Sequence, residues 1–175
     1  MISTSALVVD ASVAVSILRK EPEAEEAALV LAKWTTLGGR VIVPSQFWFE
    51  AVNALLGRHK WEGARVLQAI HELDDLQLET VDLDRALVVL TIDLAERHGL
   101  TAYDAEYLAL ADSEGASIAT FDAALRSSAG SRAVHIGPAR LSEAPAPYEH
   151  RVTWPYYKGA SAFLAKLRSE AARPA

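Results

Sequence analysis

The chain lacks cysteine throughout its 175 residues. Disulfides and thiol chemistry are therefore excluded, and a reducing cytoplasm is a compartment that fits. Long apolar runs are missing too. None approaches the roughly 18 residues of a membrane span. The opening Met1-Ile2-Ser3-Thr4-Ser5 has neither the basic nor the apolar region of a secretory signal. A cytoplasmic protein with no membrane partner is the expectation. Positive charge is scarce: 17 Lys and Arg stand against 23 Asp and Glu, for a net charge of −6. A nucleic-acid binder usually carries a basic footprint, so this balance counts against one. It counts less if several acids surround a cation, which reverses the local sign. The sequence holds no Gly-x-Gly-x-x-Gly, no P-loop and no Gly-x-Ser-x-Gly elbow. His59, His71, His98, His135 and His150 form no metal-binding pattern, and packing or surface roles suit them.

What is present is an alternation of strands and helices. Leu7-Val8-Val9 runs into Asp10-Ala11-Ser12, a short apolar run ended by a turn signal, which reads as a buried strand. Residues 13–18 follow as a short helix with Ser12 as a possible cap, and residues 23–37 as a second helix closed by Gly38-Gly39. Arg40-Val41-Ile42-Val43-Pro44 is a strand; helices over 46–59 and 61–73 follow; Leu76 to Val81 alternates like a more exposed strand. A long helix from Asp82 or Asp84 reaches Arg97, another covers 102–113, residues 116–120 form a strand, Asp122 opens a short helix, and residues 133–136 form a last strand. This order predicts an α/β fold, a mainly parallel sheet with helices on both faces. Past Arg140 the composition changes. Residues 142–147 are a Pro-rich linker, Trp154-Pro155-Tyr156-Tyr157 is aromatic, and residues 160–172 suit a helix. The predicted organisation is a domain of residues 1–140 and a C-terminal extension of residues 141–175. The extension either packs on its own domain or meets a subunit or partner.

Four acids stand out. In an open α/β sheet, chemistry collects beyond the carboxyl ends of strands. Asp10 and Asp122 each follow a predicted strand, although Asp is also a favoured helix cap. Glu50 lies on a helix apolar almost all round, which predicts burial. Glu50, Asn53 and Gly57 form its narrow polar stripe. A buried carboxylate needs a partner, which can be an ion pair, a hydrogen bond or a cation. Asp104 lies on the same helical face as Tyr107, Leu108 and Ala111, with Glu106 and Ser113 marking the wet side; Thr101-x-x-Asp104 also fits a capping pair. Two like charges 4 Å apart repel by about 4 kcal/mol at an effective dielectric of 20. A divalent cation would relieve that repulsion, and oxygen-only donors favour Mg²⁺ or Mn²⁺ over Zn²⁺.

Val9-Asp10-Ala11-Ser12, Glu50 with Asn53, Tyr103-Asp104-Ala105-Glu106-Tyr107-Leu108-Ala109-Leu110-Ala111, and Thr120-Phe121-Asp122 together resemble the PIN-domain family, and within it the VapC-type toxins. The resemblance covers residues 7–136 and not the tail. It implies an α/β, PIN-like three-layer sandwich, with about five mainly parallel strands and helices on both faces, and a metal-dependent endoribonuclease acting through metal-activated water. For a toxin it also implies a cognate antitoxin as partner. By the motif match, Asp10, Glu50, Asp104 and Asp122 form the acidic, metal-holding site, with Ser12, Asn53 and Thr120 as its polar second line. Mg²⁺ is the implied cofactor, with Mn²⁺ as substitute, RNA is the implied substrate, and a homodimer is the expected assembly. Arg19, Lys20, Arg58, Lys60 and Arg126 are the basic residues nearest the acids in sequence, available to phosphates or as a solvated rim. Trp61 either stacks a base or packs in the core. Two rival readings remain: a PIN-like RNA- or protein-binding module without turnover, and a receiver-like regulator with Asp10 as phosphoacceptor. The second does not account for Glu50.

Overall fold

The computed structural model describes residues 6–137. Four strands form one parallel sheet: β1 (Ala6–Val9), β2 (Arg40–Pro44), β3 (Glu79–Val81) and β4 (Ser117–Ala119), in the order β3-β2-β1-β4. Successive side chains on a strand point to opposite faces. All four residues of β1 are buried, so both faces of the sheet are covered there, and β1 reads as a continuous apolar run. β3, at the edge, exposes Glu79 and Thr80. The bidentate Arg40–Glu79 pair, with nitrogen–oxygen distances of 2.8 and 2.6 Å, clips it to β2.

Among the described residues seven α-helices connect and flank the strands: α1 (Ala11–Arg19), α2 (Ala24–Thr36), α3 (Phe47–Asn53), α4 (Gly63–Asp74), α5 (Arg85–His98), α6 (Ala102–Glu114) and α7 (Ala123–Ala129). α1 packs with α2, α3 and α4, whereas α6 packs on β1, β2 and β4 and carries α5 and α7 against it. Local chemistry sets several ends. Asp84, Thr101 and Asp122 cap α5, α6 and α7, each accepting the backbone N–H of the residue three positions on. Gly99 and Gly115 close α5 and α6 at φ of 64° and 62°, a conformation glycine adopts without strain.

Three sequence expectations change. The predicted strand over 76–81 is shortened to three residues, because a turn with Gln77 at φ 53° takes its first half. The predicted last strand is a single parallel bridge from Ala133 to Ile118, reinforced by Val134 N–H donating to the Ile118 carbonyl at 2.7 Å. Gly137 and Pro138 follow at once in the sequence, and proline cannot extend a ladder. The predicted helix over 46–59 divides into α3 and a π-helical turn, Ala54–Arg58. That segment is not buried all round: Phe47, Ala51 and Leu55 are enclosed, but Phe49 is 74% exposed and Leu56 42%. No helix among the described residues is long and apolar enough to cross a membrane. The expected linker and helix of the extension, and most of its boundary, lie outside the described residues.

Candidate active site

The strand order has a switch point at β1. The chain moves outward from β1 through β2 to β3, then returns to place β4 on the other side. Ligands of open α/β sheets bind at such a point, outside the carboxyl ends of the strands. Asp10 leaves β1 there, its N–H donating to the Ala119 carbonyl of β4 at 3.0 Å.

The Asp10 side chain is buried and caps α1, displacing Ser12 from the expected capping role. Its Oδ1 accepts from Ser12 N–H at 3.3 Å, and its Oδ2 accepts from Ser12 Oγ and Thr120 Oγ1, both at 2.6 Å. Each hydroxyl also accepts a backbone N–H: Ser12 Oγ from Phe121 at 3.1 Å, Thr120 Oγ1 from Asp122 at 2.9 Å. A backbone N–H can only donate, so each hydroxyl proton has to point at Asp10. The network thus presents two hydroxyl donors to Asp10, an arrangement that favours its ionised form. Burial pushes the other way and raises the Asp10 pKa, with the Asp104 charge adding to it; the hydrogen bonds from Ser12 and Thr120 oppose.

Glu50 stands on the first turn of α3, half-buried. Its Oε2 accepts the hydroxyl proton of Tyr107 on α6. Burial raises the Glu50 pKa, the Tyr107 bond opposes, and the charges of Asp10 and Asp104 push it further up. Asp104 sits in the first turn of α6. Its N–H donates to Thr101 Oγ1 at 3.1 Å, and its Oδ2 accepts from the same hydroxyl at 2.7 Å. Thr101 is therefore the cap, and Asp104 is its partner, using one oxygen. Asp122 is exposed and caps α7 through Oδ1, which accepts from Leu125 N–H at 2.7 Å.

The fold therefore brings Asp10, Glu50 and Asp104 within electrostatic reach of one another; Asp122 is tied to Asp10 through its backbone N–H and Thr120, while its carboxylate caps α7. Ser12 and Thr120 contact Asp10 directly. Asn53 is exposed and bonds to none of the four acids among the described residues. The donors are all oxygens, and two of the acids are made harder to ionise by burial and by neighbouring charge. A hard divalent cation suits such a set in charge and donor type. As placed, no three His, Cys, Asp or Glu side chains among the described residues are grouped so as to hold one ion.

The sequence matches the PIN domain over residues 7–130, a span that includes all four acids.

The chain belongs to the PIN-domain family.

Solved structures agree in fold. PAE2754 from Pyrobaculum aerophilum is 20% identical, with a TM-score of 0.53 over 71% of this chain and 80% of that one. VapC20 from Mycobacterium tuberculosis, a sarcin-ricin loop cleaving toxin, is 15% identical, with a TM-score of 0.56 over 69% of this chain and 93% of that one. A toxin–antitoxin complex from Klebsiella pneumoniae is 15% identical, with a TM-score of 0.52 over 66% and 86%. No curated protein matches the sequence.

Two residues of this PIN domain have no part in the sequence reading of the site. Tyr107 is buried, and burial with the Glu50 and Asp10 charges raises its pKa far above the ordinary value, so it stays a neutral donor. Its position three residues after Asp104 is the available signal. Glu106 is expected on the wet side of α6 and is instead 5% exposed. The sheet covers one side of α6 and α5 packs on it as well, so every residue from Ala105 to Ala111 is buried. Among the described residues Glu106 Oε1 has no hydrogen-bond partner, and burial, with the Glu50 charge, pushes its pKa up to about 7.

A raised carboxyl pKa means the folded state holds the proton more tightly than the unfolded one. Below the ordinary glutamate value of 4.5, Glu106 is neutral in both states and costs nothing; as pH rises from there to about 7, stability is lost. In chelator, Glu106→Gln should therefore be more stable than wild type at pH 8 by about 1–3 kcal/mol, with the gap closing toward pH 4. Urea denaturation at the two pH values checks this. A gap that stays constant would mean that Glu106 does not titrate in that window.

Proposed function

We propose that the chain is a divalent-metal-dependent endoribonuclease and the toxin of a type II toxin–antitoxin pair. The observation that carries this is the Asp10 carboxylate at the switch point, oriented by Ser12 and Thr120 and facing Glu50 and Asp104. Asp10, Glu50, Asp104 and Asp122 would hold Mg²⁺, with Mn²⁺ able to substitute. When bound, the cation supplies charge neutralisation at the scissile phosphate and a lowered pKa for water. The chain's own groups do the rest. Ser12 and Thr120 aim Asp10 and favour its ionised form against burial, and Tyr107 orients Glu50 without competing for a proton. RNA is the substrate, a cognate antitoxin the inhibitory partner, a homodimer the assembly and the cytoplasm the location in this reading. Membership of the PIN family and likeness in fold to a toxin that cleaves the sarcin-ricin loop support it.

The test is cleavage of a mixed RNA pool by purified protein in Mg²⁺, in Mn²⁺ and in chelator. Cleavage in either metal and none in chelator is the expected result. RNA binding without cleavage in either metal would assign the chain to the inactive binding-module reading instead.

Binding to the native state alone adds RT ln(1 + [L]/Kd), about 2.7 kcal/mol at a hundredfold excess over Kd. Millimolar Mg²⁺ or Mn²⁺ should thus raise the melting temperature by several degrees, and Asp104→Asn should blunt the rise. A wild-type melting curve indifferent to both ions would count heavily against a metal centre.

The domain boundary near residue 140 belongs to the same proposal. All four acids lie within the span matched by the family. A chain ending at Arg140 should keep its ribonuclease activity, and a folded but inactive truncation would show that the extension completes the site.

A further inference from the structure

Positive charge is scarce in this chain, but it is not evenly spread. Arg19 and Lys20 end α1, Arg58 ends the π-helical turn, and Lys60 and Arg65 follow; these are five of the 17 Lys and Arg. The two segments meet in space. His59 lies beside both Arg19 and Arg58, and burial together with those two charges holds its pKa below the ordinary value.

Several arginines elsewhere are neutralised by carboxylates: Arg40 by Glu79 and Glu114, Arg97 by Asp93, Arg132 by Asp112. In this patch Arg19 pairs with Glu21. Among the described residues Lys20, Arg58, Lys60 and Arg65 make no ion pair, and Glu62 of the same stretch pairs with none of them. Arg65 stacks on Trp61, its guanidinium carbon 3.6 Å from the ring centroid. Stacking fixes the guanidinium plane and leaves its in-plane N–H donors uncommitted. Lys20 and Lys60 both adopt left-handed backbone, each at φ 54°. That conformation favours glycine, and α5 and α6 close on Gly99 and Gly115 in the same conformation. At these two corners a cation stands where glycine would be less strained.

The patch is built into the helices that carry the acids. Asp10 and Glu50 are electrostatic neighbours at one end, and Arg19 and Arg58 are neighbours of the same histidine at the other. α1 packs against α3 and α4, so α1 and the α3 segment run side by side, acids at one end and cations at the other. The separation is about 13 Å, from 1.5 Å per residue along the nine residues of α1. A polyanion whose reacting phosphate lies at an acid-lined edge needs its other phosphates gripped elsewhere.

We propose that Lys20, Arg58, Lys60 and Arg65, with Trp61 positioning Arg65, form a phosphate-gripping surface for single-stranded RNA, separate from the acidic edge. This rests on the ribonuclease reading for its ligand and is tested without cleavage. The full chain is titrated, in chelator, against a short fluorescent single-stranded RNA at several salt concentrations, and anisotropy is read. The triple variant Arg58→Gln/Lys60→Gln/Arg65→Gln should weaken binding by about tenfold or more. Losing three phosphate contacts should also flatten the slope of log affinity against log salt by about 2. A Lys33→Gln/Arg85→Gln control, with both cations outside the patch, should bind like wild type. If the triple variant melts early, Arg58→Gln/Lys60→Gln should flatten the slope by about 1.4. Wild-type affinity and slope in a folded variant, or a wild type that binds no RNA, would overturn the proposal. Equal competition by polyglutamate would overturn the RNA assignment in favour of an acidic protein partner. RNA binding that depends on the patch, with no cleavage in Mg²⁺ or Mn²⁺, would support the patch while the nuclease reading fell.

Discussion

An Asp10→Asn protein is expected to fold and stay soluble while its metal-dependent RNA cleavage falls by about a hundredfold or more, the scale at which loss of one preorganised electrostatic group is felt. The bonding around Asp10 explains both halves of that result. In the variant, the amide oxygen of the new side chain can replace Oδ2 and still accept from Ser12 Oγ and Thr120 Oγ1. Its NH₂ then faces Ser12 N–H, and the 3.3 Å capping bond is lost. That bond is long and contributes about 1 kcal/mol at most. Against it stands relief from burying a charge beside Asp104 and Glu50. The two changes nearly offset each other, so the melting temperature in chelator should stay close to that of wild type. The site meanwhile loses the anionic oxygen at the strand end, so affinity for a cation and neutralisation of the phosphate fall together. If the wild type is toxic when expressed alone, this variant should not be. Side-by-side cleavage assays on purified wild type and variant decide the matter, and equal rates would sink the proposed mechanism.

Phe47→Ala is expected to cost about 3–5 kcal/mol, the usual range for removing a buried phenyl ring. A native domain has only about 5–15 kcal/mol to lose. Phe47 is fully buried at the first position of α3 and meets Trp48 edge-on, with centroids 5.2 Å apart and planes at 88°. Truncation leaves a cavity beneath the turn that carries Glu50 three residues on. Cleavage by the fraction that remains folded should therefore drop as well. Phe47→Leu, which refills most of the space, should cost far less. Urea denaturation of both variants measures the difference. A cost below about 1 kcal/mol for the alanine variant would mean that α3 is not anchored through this ring.

Much of the frame is legible from local signals. The apolar runs of β1 and β2 declare buried parallel strands. Thr101 with Asp104, Asp84, Gly99 and Gly115 mark helix ends by chemistry that acts over three or four residues. The same short reach explains the misreadings. Phe49 and Leu56 look like core residues because α3 is apolar on nearly every side; only one side of it meets the core. Glu106 looks like a surface residue because it lies off the Asp104 face, yet the fold buries it within electrostatic reach of Glu50. In both helices the wheel supplies the pattern, and the neighbouring element chooses which face to bury.

The sequence by itself determined that Asp10 and Asp122 follow strands and head helices, that Asp104 opens a helix with Thr101, and that the chain alternates strand and helix. These are consequences of periodicity and capping within a single turn or strand, and no distant residue can alter them cheaply. Only the tertiary structure decided the strand order β3-β2-β1-β4, which sets the turn after β1 beside the turn after β4. It decided that Thr120 would donate to Asp10 across 110 residues of sequence and Tyr107 to Glu50 across 57. Contacts at that separation follow from which faces are left to bury once local structure exists. They depend on the whole core at once, and no short window of sequence contains them.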